Sequence, residues 1–377
     1  MHRISYDVGA ARGELHRAII NTLNTEIQEM CRTLGIDRQE IYELVVVGNA
    51  TMRDLFFGLD VQPIGQKPYK SQVELDMGAG RRSTTSLLEP ARKLRLRASR
   101  NAKVFGVPLV ASHVGADVLA DLVAIDMEQQ DGTVMLVDAG TNTEVVVSHR
   151  GRLVAASCPA GPAFEGGLVT FGMPGCDGAI ESIRYDGARF QYTTIGDTEP
   201  RGICGSGLID LLAELVRHGL MTPKCAFPQR KQKELLIVPE HGITFSRRDA
   251  SELAQAKAAN YCGQRILLRH LGIRPDDITR LYLAGGFANY VDPASAVAIG
   301  FLAPVAPERI VKVGNAAAQG ARELLLSRTK RESIERLARS IEHVELETTP
   351  DFFEMFAEGC QIKPMGGPWG QGAERGA

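Results

Sequence analysis

The side chains best suited to chemistry lie in one segment, Val134–Val147, in which two apolar runs flank a short polar turn. The pattern predicts a β-hairpin whose turn presents backbone N–H groups, hydroxyls and one carboxylate. Such a turn can hold a phosphate together with a divalent cation. The candidate ligands are Asp138 for the metal, and Gly140, Thr141, Asn142 and Thr143 for the phosphate. An ordinary hairpin with a polar turn has the same pattern.

Two further strand-to-glycine junctions follow along the chain. Gly285 and Gly286 come after the apolar run Arg280–Ala284. Two adjacent residues without side chains let a flat group such as adenine approach the backbone. Gly314 comes after another run, Arg309–Val313, and a helix begins directly behind it, as at a topological switch point. Each glycine alone is also compatible with a helix cap or a tight turn. Together with the hairpin they predict a nucleotide site.

The glycine-rich passage Pro159–Gly167 lies between these junctions. Its one acid, Glu165, is a candidate for orienting an attacking water, although a carboxylate that stabilises the turn has the same appearance. Gly161 and Gly166 flank this acid, and we add both to the candidate nucleotide contacts. His113, before a predicted helix, is interpreted as a surface or packing residue.

Composition limits the classes of function. The chain has 377 residues, 44% hydrophobic and 23% charged, with a net charge of −2. These values predict a globular protein and give no electrostatic case for nucleic acid or a membrane surface. No run is long enough for a transmembrane helix and the first residues lack a signal peptide, so we expect a cytoplasmic location.

The seven cysteines are widely spaced and form no CxxC pair. This argues against an iron–sulfur cluster in this chain and favours buried, inert thiols, including Cys158 and Cys204. One basic cluster, Arg92–Lys103, alternates cations with apolar residues. It is interpreted as a half-exposed strand with a solvated charged face.

Periodicity predicts alternating helices and strands. The helices are expected within residues 1–40, at 52–58, 115–124, 208–218, 249–271 with Ser246 as cap, and 316–328. The strands are expected at 41–47, 134–147 as a hairpin, 153–157, 180–192 as a hairpin, 280–284 and 309–313. We expect domains at 1–128 and 129–364, and a flexible tail at 365–377.

The ordered motifs resemble the actin, sugar-kinase and heat-shock ATPase superfamily, and within it the ATPase region of reductive activators of corrinoid proteins. The motifs are Val47–Met52, Gly115–Asp117, Val137–Glu144, Ala160–Gly166, Gly202–Asp210, Leu283–Tyr290 and Val313–Ala317. The resemblance implies an α/β, bilobal actin-like ATPase fold with ribonuclease-H-like lobes. It also implies ATP and Mg²⁺ as cofactors, with Asp138–Glu144 as the second phosphate hairpin and Gly285 and Gly286 as the adenosine motif.

The resemblance implies a function too. Family members use ATP to drive an electron from an iron–sulfur cluster onto an oxidised corrinoid cobalt, which restores a methyltransferase system. The expected partner is therefore a corrinoid protein or methyltransferase, with a ferredoxin-like subunit as electron donor and a homodimer as a further expectation.

The sequence also departs from the family pattern. No cysteine-rich cluster domain and no earlier phosphate loop of the type Asp-x-Gly-Thr-Thr are present, so the first lobe is expected to be incomplete and the activator truncated. This leaves a second hypothesis open, a non-hydrolysing module that docks on a corrinoid protein and acts with a separate cluster-bearing subunit. A small-molecule kinase with the same fold is a third hypothesis.

Overall fold

The fold is available as a computed structural model, which describes residues 2–229, 231–367 and 369. The α-helices among these residues are α1 (His2–Tyr6), α2 (Glu14–Leu34), α3 (Ala50–Phe56), α4 (Gln72–Gly78), α5 (Ala116–Ala124), α6 (Gly205–Arg217), α7 (Arg247–Leu271), α8 (Pro293–Ala298), α9 (Ala316–Leu326), α10 (Arg328–Ser340) and α11 (Phe352–Gly359). The β-strands are β1 (Glu43–Val46), β2 (Leu87–Pro90), β3 (Lys103–Gly106), β4 (Thr133–Ala139), β5 (Thr143–His149), β6 (Arg152–Cys158), β7 (Ala179–Tyr185), β8 (Phe190–Thr194), β9 (Gly202–Ile203), β10 (Glu234–Val238), β11 (Ile243–Ser246), β12 (Ile278–Ala284), β13 (Ile310–Gly314) and β14 (Ile341–His343).

The described chain divides into two compact units. Unit 1 comprises residues up to 129 together with 316–343, and unit 2 comprises residues 130–315 and those from 344 onward. Residues 316–343, which the sequence-based division placed in the second lobe, thus group with the first part of the chain. The reason is close packing of α9 on α5: a Cβ on Gly320 would overlap the carbonyl oxygen of Ala120.

Unit 1 is built around a small sheet of order β1-β3-β2, in which β1 and β3 run parallel. The long helix α2 ends at Gly35, which takes the left-handed conformation (φ +67°) that favours glycine. Helix α5 follows the strand ends closely, since the N–H of Ala116 donates to the carbonyl of Gly48 and a Cβ on Gly115 would overlap the backbone of Asn49.

Unit 2 contains strands in the order β13-β12-β4-β5-β6. Strands β4, β5 and β6 form an antiparallel meander, and β12 pairs in parallel with both β4 and β13. Val134–Val137 of β4 and Val145–Val147 of β5 are apolar on both faces and buried, which is typical of a sheet covered on both sides. Helix α7 begins with a capping box in which Ser246 and Asp249 exchange hydrogen bonds.

Most predicted elements are confirmed, including both hairpins, the long helix with its Ser246 cap, and the strands that lead into Gly285 and Gly314. The predicted basic strand at Arg92–Lys103 is wrong. Strand β2 ends at Pro90, tight turns follow, and Arg95 has a φ of +61°, which a strand does not permit. The alternation arises because Leu94, Leu96 and Ala98 are buried while Arg95 and Arg97 between them are exposed.

The predicted tail begins at Met365, which is buried in the core of unit 2. Positions 368 and 370–377 of that tail lie outside the described residues. Within the described part of the chain, no helix combines the length and the apolar character needed to cross a bilayer.

Candidate functional site

The site lies where three parallel strands of unit 2 end. Strands β4, β12 and β13 point the same way, and Ala284 pairs with both Asp138 and Gly314. The carboxyl ends of these strands therefore meet at one edge of the sheet, where ligands bind in open α/β sheets. The three junctions singled out in the sequence are thus immediate neighbours.

The hairpin tip between β4 and β5 exposes its polar groups. Thr141 is exposed, and Asp138, Gly140 and Asn142 are half-buried, whereas Thr143 is buried at the start of β5. The five residues that precede Asp138 in β4, from Thr133 to Val137, are buried and hold the strand in place. The strand therefore positions Asp138 at the edge of the sheet. The tip consequently offers hydroxyl, amide and carboxylate oxygens on a rigid base.

The glycine-rich loop after β6 is fastened to this tip by two hydrogen bonds. The N–H of Gly161 donates to the carbonyl of Thr141 (2.8 Å), and the Thr141 hydroxyl donates to the Glu165 carboxylate (2.5 Å). Gly166, at φ +89°, lies against the backbone of Met173, which leaves no room for a side chain. Gly166 therefore shapes the loop, and Glu165 is exposed beside the tip.

The diglycine is held against the hairpin strand. A Cβ on Gly285 (φ +116°) would overlap the carbonyl oxygen of Ala139, so only glycine fits between the two strand ends. The Gly285 N–H donates to the carbonyl of Gly314 (2.9 Å), which links the second and third junctions. Nothing lies within 4 Å of a Cβ placed on Gly286, so open space adjoins this residue.

Sequence reasoning gave no role to several neighbours of the site. Glu144 is buried, lies directly opposite Asp138 in the hairpin register and accepts a hydrogen bond from Ser157 (3.1 Å). The side chain of Asn289 packs against Gly314. Both residues belong to the quoted motifs, but only the register and the packing show which junction each one adjoins.

The other chemically active residue types fall elsewhere or are inert. His113 is an exposed residue of unit 1. Cys158 is buried, and its burial raises its pKa well above the ordinary thiol value, which disfavours a reactive thiolate. Cys204 is also buried, and all seven cysteines are free.

The donor set fits a nucleotide with a hard cation. Among the described residues no three His, Cys, Asp or Glu side chains group as metal ligands. Mg²⁺ is commonly held by one or two carboxylates while phosphates and waters complete its octahedron, and the oxygen donors at the tip match that preference. The space beside Gly286 suits a planar base next to the phosphate groups.

The strand ends, the polar hairpin and the diglycine define an actin-like ATPase domain, the ASKHA class, whose membership implies nucleotide binding. The family comparison agrees: residues 132–367 match the C-terminal domain of RACo, described as the ASKHA domain, and residues 1–130 match the RACo middle region. The chain belongs to this family of reductive activators of corrinoid proteins. Residues 1–128, expected to form an incomplete ATPase lobe, thus fall in the stretch that matches the middle region.

Relatives and a solved structure support this placement. The chain is 31% identical to the corrinoid activation enzyme RamQ of Eubacterium limosum, over 94% of this chain and 62% of that protein. It is 25% identical to a [Co(II) methylated amine-specific corrinoid protein] reductase of Methanosarcina barkeri, over 96% of this chain and 69% of that protein. A solved reductive activator for a corrinoid, iron–sulfur protein superposes with a TM-score of 0.85 at 31% identity. That match covers 96% of this chain and 59% of the solved chain, so the chain spans between 59% and 69% of the length of these three proteins.

Proposed function

We propose that this chain is the nucleotide-binding part of an ATP-dependent activator that returns an oxidised corrinoid protein of a methyltransferase system to its reduced state. The observation that supports the proposal most directly is the meeting of the hairpin tip and the diglycine at adjacent strand ends. The names of the relatives, which refer to corrinoid activation and corrinoid protein reduction, supply the reaction class.

Each residue at the strand ends has a proposed role. Asp138 holds Mg²⁺ or its bound waters, and Mg²⁺ when bound supplies charge neutralisation for the phosphates. The hydroxyl of Thr141, the amide of Asn142 and the N–H groups of the tip hold phosphate oxygens. Gly286 borders the adenine ring, and Gly285 keeps the two strand ends at contact distance.

Glu165 is the proposed group that orients the attacking water. Its carboxylate accepts a hydrogen bond from the Thr141 hydroxyl at 2.5 Å, within the same tip that would bind the phosphates. When the Thr141 hydroxyl turns to a phosphate oxygen, the Glu165 carboxylate loses that donor and becomes available to accept one from water. The proton of the attacking water then has a nearby carboxylate as its acceptor.

The energetic purpose of the nucleotide is differential binding. Reduction of the corrinoid cobalt is uphill, so a favourable electron transfer requires that the nucleotide stabilise one state of the complex over another. To shift the populations of two states of the complex from about 1:99 to 99:1, the nucleotide must bind the favoured state more tightly by roughly 5.5 kcal/mol.

Calorimetry with Mg-ATP tests the nucleotide proposal. We expect the wild-type chain to bind and Asp138→Ala to bind about 100-fold more weakly, because a charged ligand worth about 3 kcal/mol is removed. Asp131→Ala, which removes an exposed acid just before β4, is the matched control and should bind as the wild type does. Absence of binding by the wild type would contradict the proposal.

Turnover separates the activator from its alternatives. ATP hydrolysis by the purified chain above about 1 per second, stimulated by an oxidised corrinoid protein, would exclude a docking module that does not hydrolyse ATP. Phosphorylated sugar or acid in a substrate screen would favour a kinase instead.

The remaining assignments are part of the same proposal. We propose a cytoplasmic location, a ferredoxin-like electron donor and a homodimer. Fractionation, reduction assays with ferredoxin and sedimentation of the purified chain test these three in turn.

A further inference from the structure

Residues 92–103 of unit 1, here called the basic loop, form an exposed concentration of positive charge. The cations Arg92, Lys93, Arg95, Arg97, Arg100 and Lys103 are all exposed. Between them, the apolar side chains of the loop are buried under the backbone, at Leu94, Leu96, Ala98 and Ala102. The loop therefore directs its charges outward and its apolar residues inward.

The backbone of this loop is fixed in place. The buried side chain of Asn24 on α2 donates to the carbonyl of Arg95 (3.0 Å) and accepts from the N–H of Arg97 (2.7 Å). Towards the end of the loop, the N–H of Ser99 donates to the carbonyl of Ile41 (3.1 Å), and the N–H of Lys103 donates to the carbonyl of Tyr42 (3.1 Å). A rigid backbone presents the cations at set positions and lowers the entropy cost of binding a partner.

The charges of the loop are almost wholly uncompensated. Lys93 pairs with Glu89 at 2.7 Å. Across residues 2–229, 231–367 and 369, the other five cations of the loop form no ion pair. An excess of like charge on one exposed loop attracts an anionic surface. The chain as a whole has a net charge of −2, which makes the local excess a feature of this loop and not of the composition.

The surroundings favour a protein partner over nucleic acid. Tyr42, bonded through its carbonyl to the loop, is 68% exposed. Exposed tyrosine and arginine are the residue types that protein interfaces favour at their energetic centres, and Tyr42 adjoins the loop at Lys103. Nucleic-acid binding faces carry a basic excess over a whole domain, whereas this chain is slightly acidic overall.

We propose that the basic loop, together with Tyr42, docks an acidic face of the corrinoid protein on which the activator works. The identity of that partner rests on the proposed function. Complementary charge would mainly speed the encounter and orient it, while Tyr42 would supply apolar contact after docking.

Charge reversal tests this docking surface. Arg97→Glu/Arg100→Glu changes two cations of the loop, and Arg328→Glu/Arg336→Glu makes the same charge change at two exposed, unpaired cations of α10 in the same unit. Association with the purified corrinoid protein is measured by surface plasmon resonance at about 0.02 M and about 0.3 M salt. We expect the loop variant to associate at least about 10-fold more slowly at low salt and to lose most of the salt dependence, and the α10 variant to change less than about 2-fold.

Separate readouts distinguish failure of the docking proposal from failure of the proposed function. Mg-ATP calorimetry should give the same affinity for both variants and the wild type. If the loop variant loses its fold by circular dichroism, Arg97→Gln/Arg100→Gln provides the milder change. Equal association rates for the loop and α10 variants would overturn the docking surface while the nucleotide function stands.

Two further results also overturn the docking proposal. In one, the wild-type chain binds Mg-ATP but does not associate with the corrinoid protein, which also removes the proposed partner. In the other, the wild-type chain binds duplex DNA and the loop variant does not, which assigns the loop to nucleic acid.

Discussion

Unit 2 uses polar side chains in two opposite ways. At the hairpin tip they are exposed or half-buried at the ends of strands, as Thr141 and Asn142 are. On helix α7 they are enclosed in the core, as Lys257, Asn260 and Gln264 are, each with no exposed surface. The polar atoms of the first group are accessible to a ligand, whereas those of the second group are hydrogen-bonded inside the core.

The polar atoms of α7 are satisfied by backbone groups of the same unit. Asn260 and Gln264 both donate to the carbonyl of Phe301, and Gln264 accepts from the N–H of Ala303 (2.8 Å). The Lys257 ammonium donates to the carbonyl of Gln361 (2.8 Å). Buried polar groups that are hydrogen-bonded to the backbone fix neighbouring segments in one arrangement. Polarity alone therefore does not identify a candidate ligand-binding residue, because the polar groups of α7 are enclosed whereas those of the tip are accessible.

The largest effect that would test this contrast is expected at Gly285. Gly285→Ala should lower the free energy of unfolding by about 3–5 kcal/mol, since the new Cβ meets the Ala139 carbonyl and the residue has a φ of +116°. Mg-ATP binding should be lost with it. Urea unfolding and calorimetry measure the two effects.

Gly286→Ala is the matched control. No atom lies within 4 Å of its added Cβ, so its stability should stay within about 0.5 kcal/mol of the wild type. If both variants were equally stable, the strand ends would not need the close contact described above.

The next effect in size concerns the buried group, through Lys257. Burial lowers the pKa of Lys257 from its ordinary 10.5 to about 8. The folded chain therefore releases this proton at lower pH than the unfolded chain, which binds more protons between about pH 8 and 10.5. Over that window the free energy of unfolding of the wild type should rise relative to Lys257→Met, by up to about 3 kcal/mol.

Urea unfolding of both proteins across this pH range measures the difference. Other titrating groups are common to the two proteins and cancel. A difference that stays flat from pH 7 to about pH 10.5 would show that the ammonium is solvated and not enclosed.

The smallest effect on stability is expected at Thr141. Thr141→Val removes an exposed hydrogen bond to Glu165 and should lower the free energy of unfolding by no more than about 1 kcal/mol. The affinity for Mg-ATP should fall about 10-fold, because one phosphate donor is gone. Thr141→Ser keeps the hydroxyl and should retain most of the affinity. An unfolding cost above about 2 kcal/mol with unchanged affinity would move Thr141 into the structural group.

The sequence by itself determined the elements around the site and the order of its motifs. Two apolar runs around a polar turn predicted the hairpin at 134–147, which spans 133–149 in the structure, and Ser246 was predicted as the cap of the helix expected at 249–271, which begins at Arg247. These signals are local, since they depend on side chains a few residues apart. The same local reasoning failed at Arg92–Lys103, where alternation came from an irregular loop clamped by Asn24, more than seventy residues earlier.

Only the tertiary structure decided which separate segments meet. It brought Gly285 into contact with the Ala139 backbone and the Glu165 carboxylate within hydrogen-bond distance of the Thr141 hydroxyl. It also set Glu144 opposite Asp138 in the hairpin and grouped residues 316–343 with the first part of the chain. Strand register and helix packing set these contacts, and both arise from the burial of many side chains at once. No short window of sequence contains that information, because each contact joins residues that are adjacent only after the chain has folded.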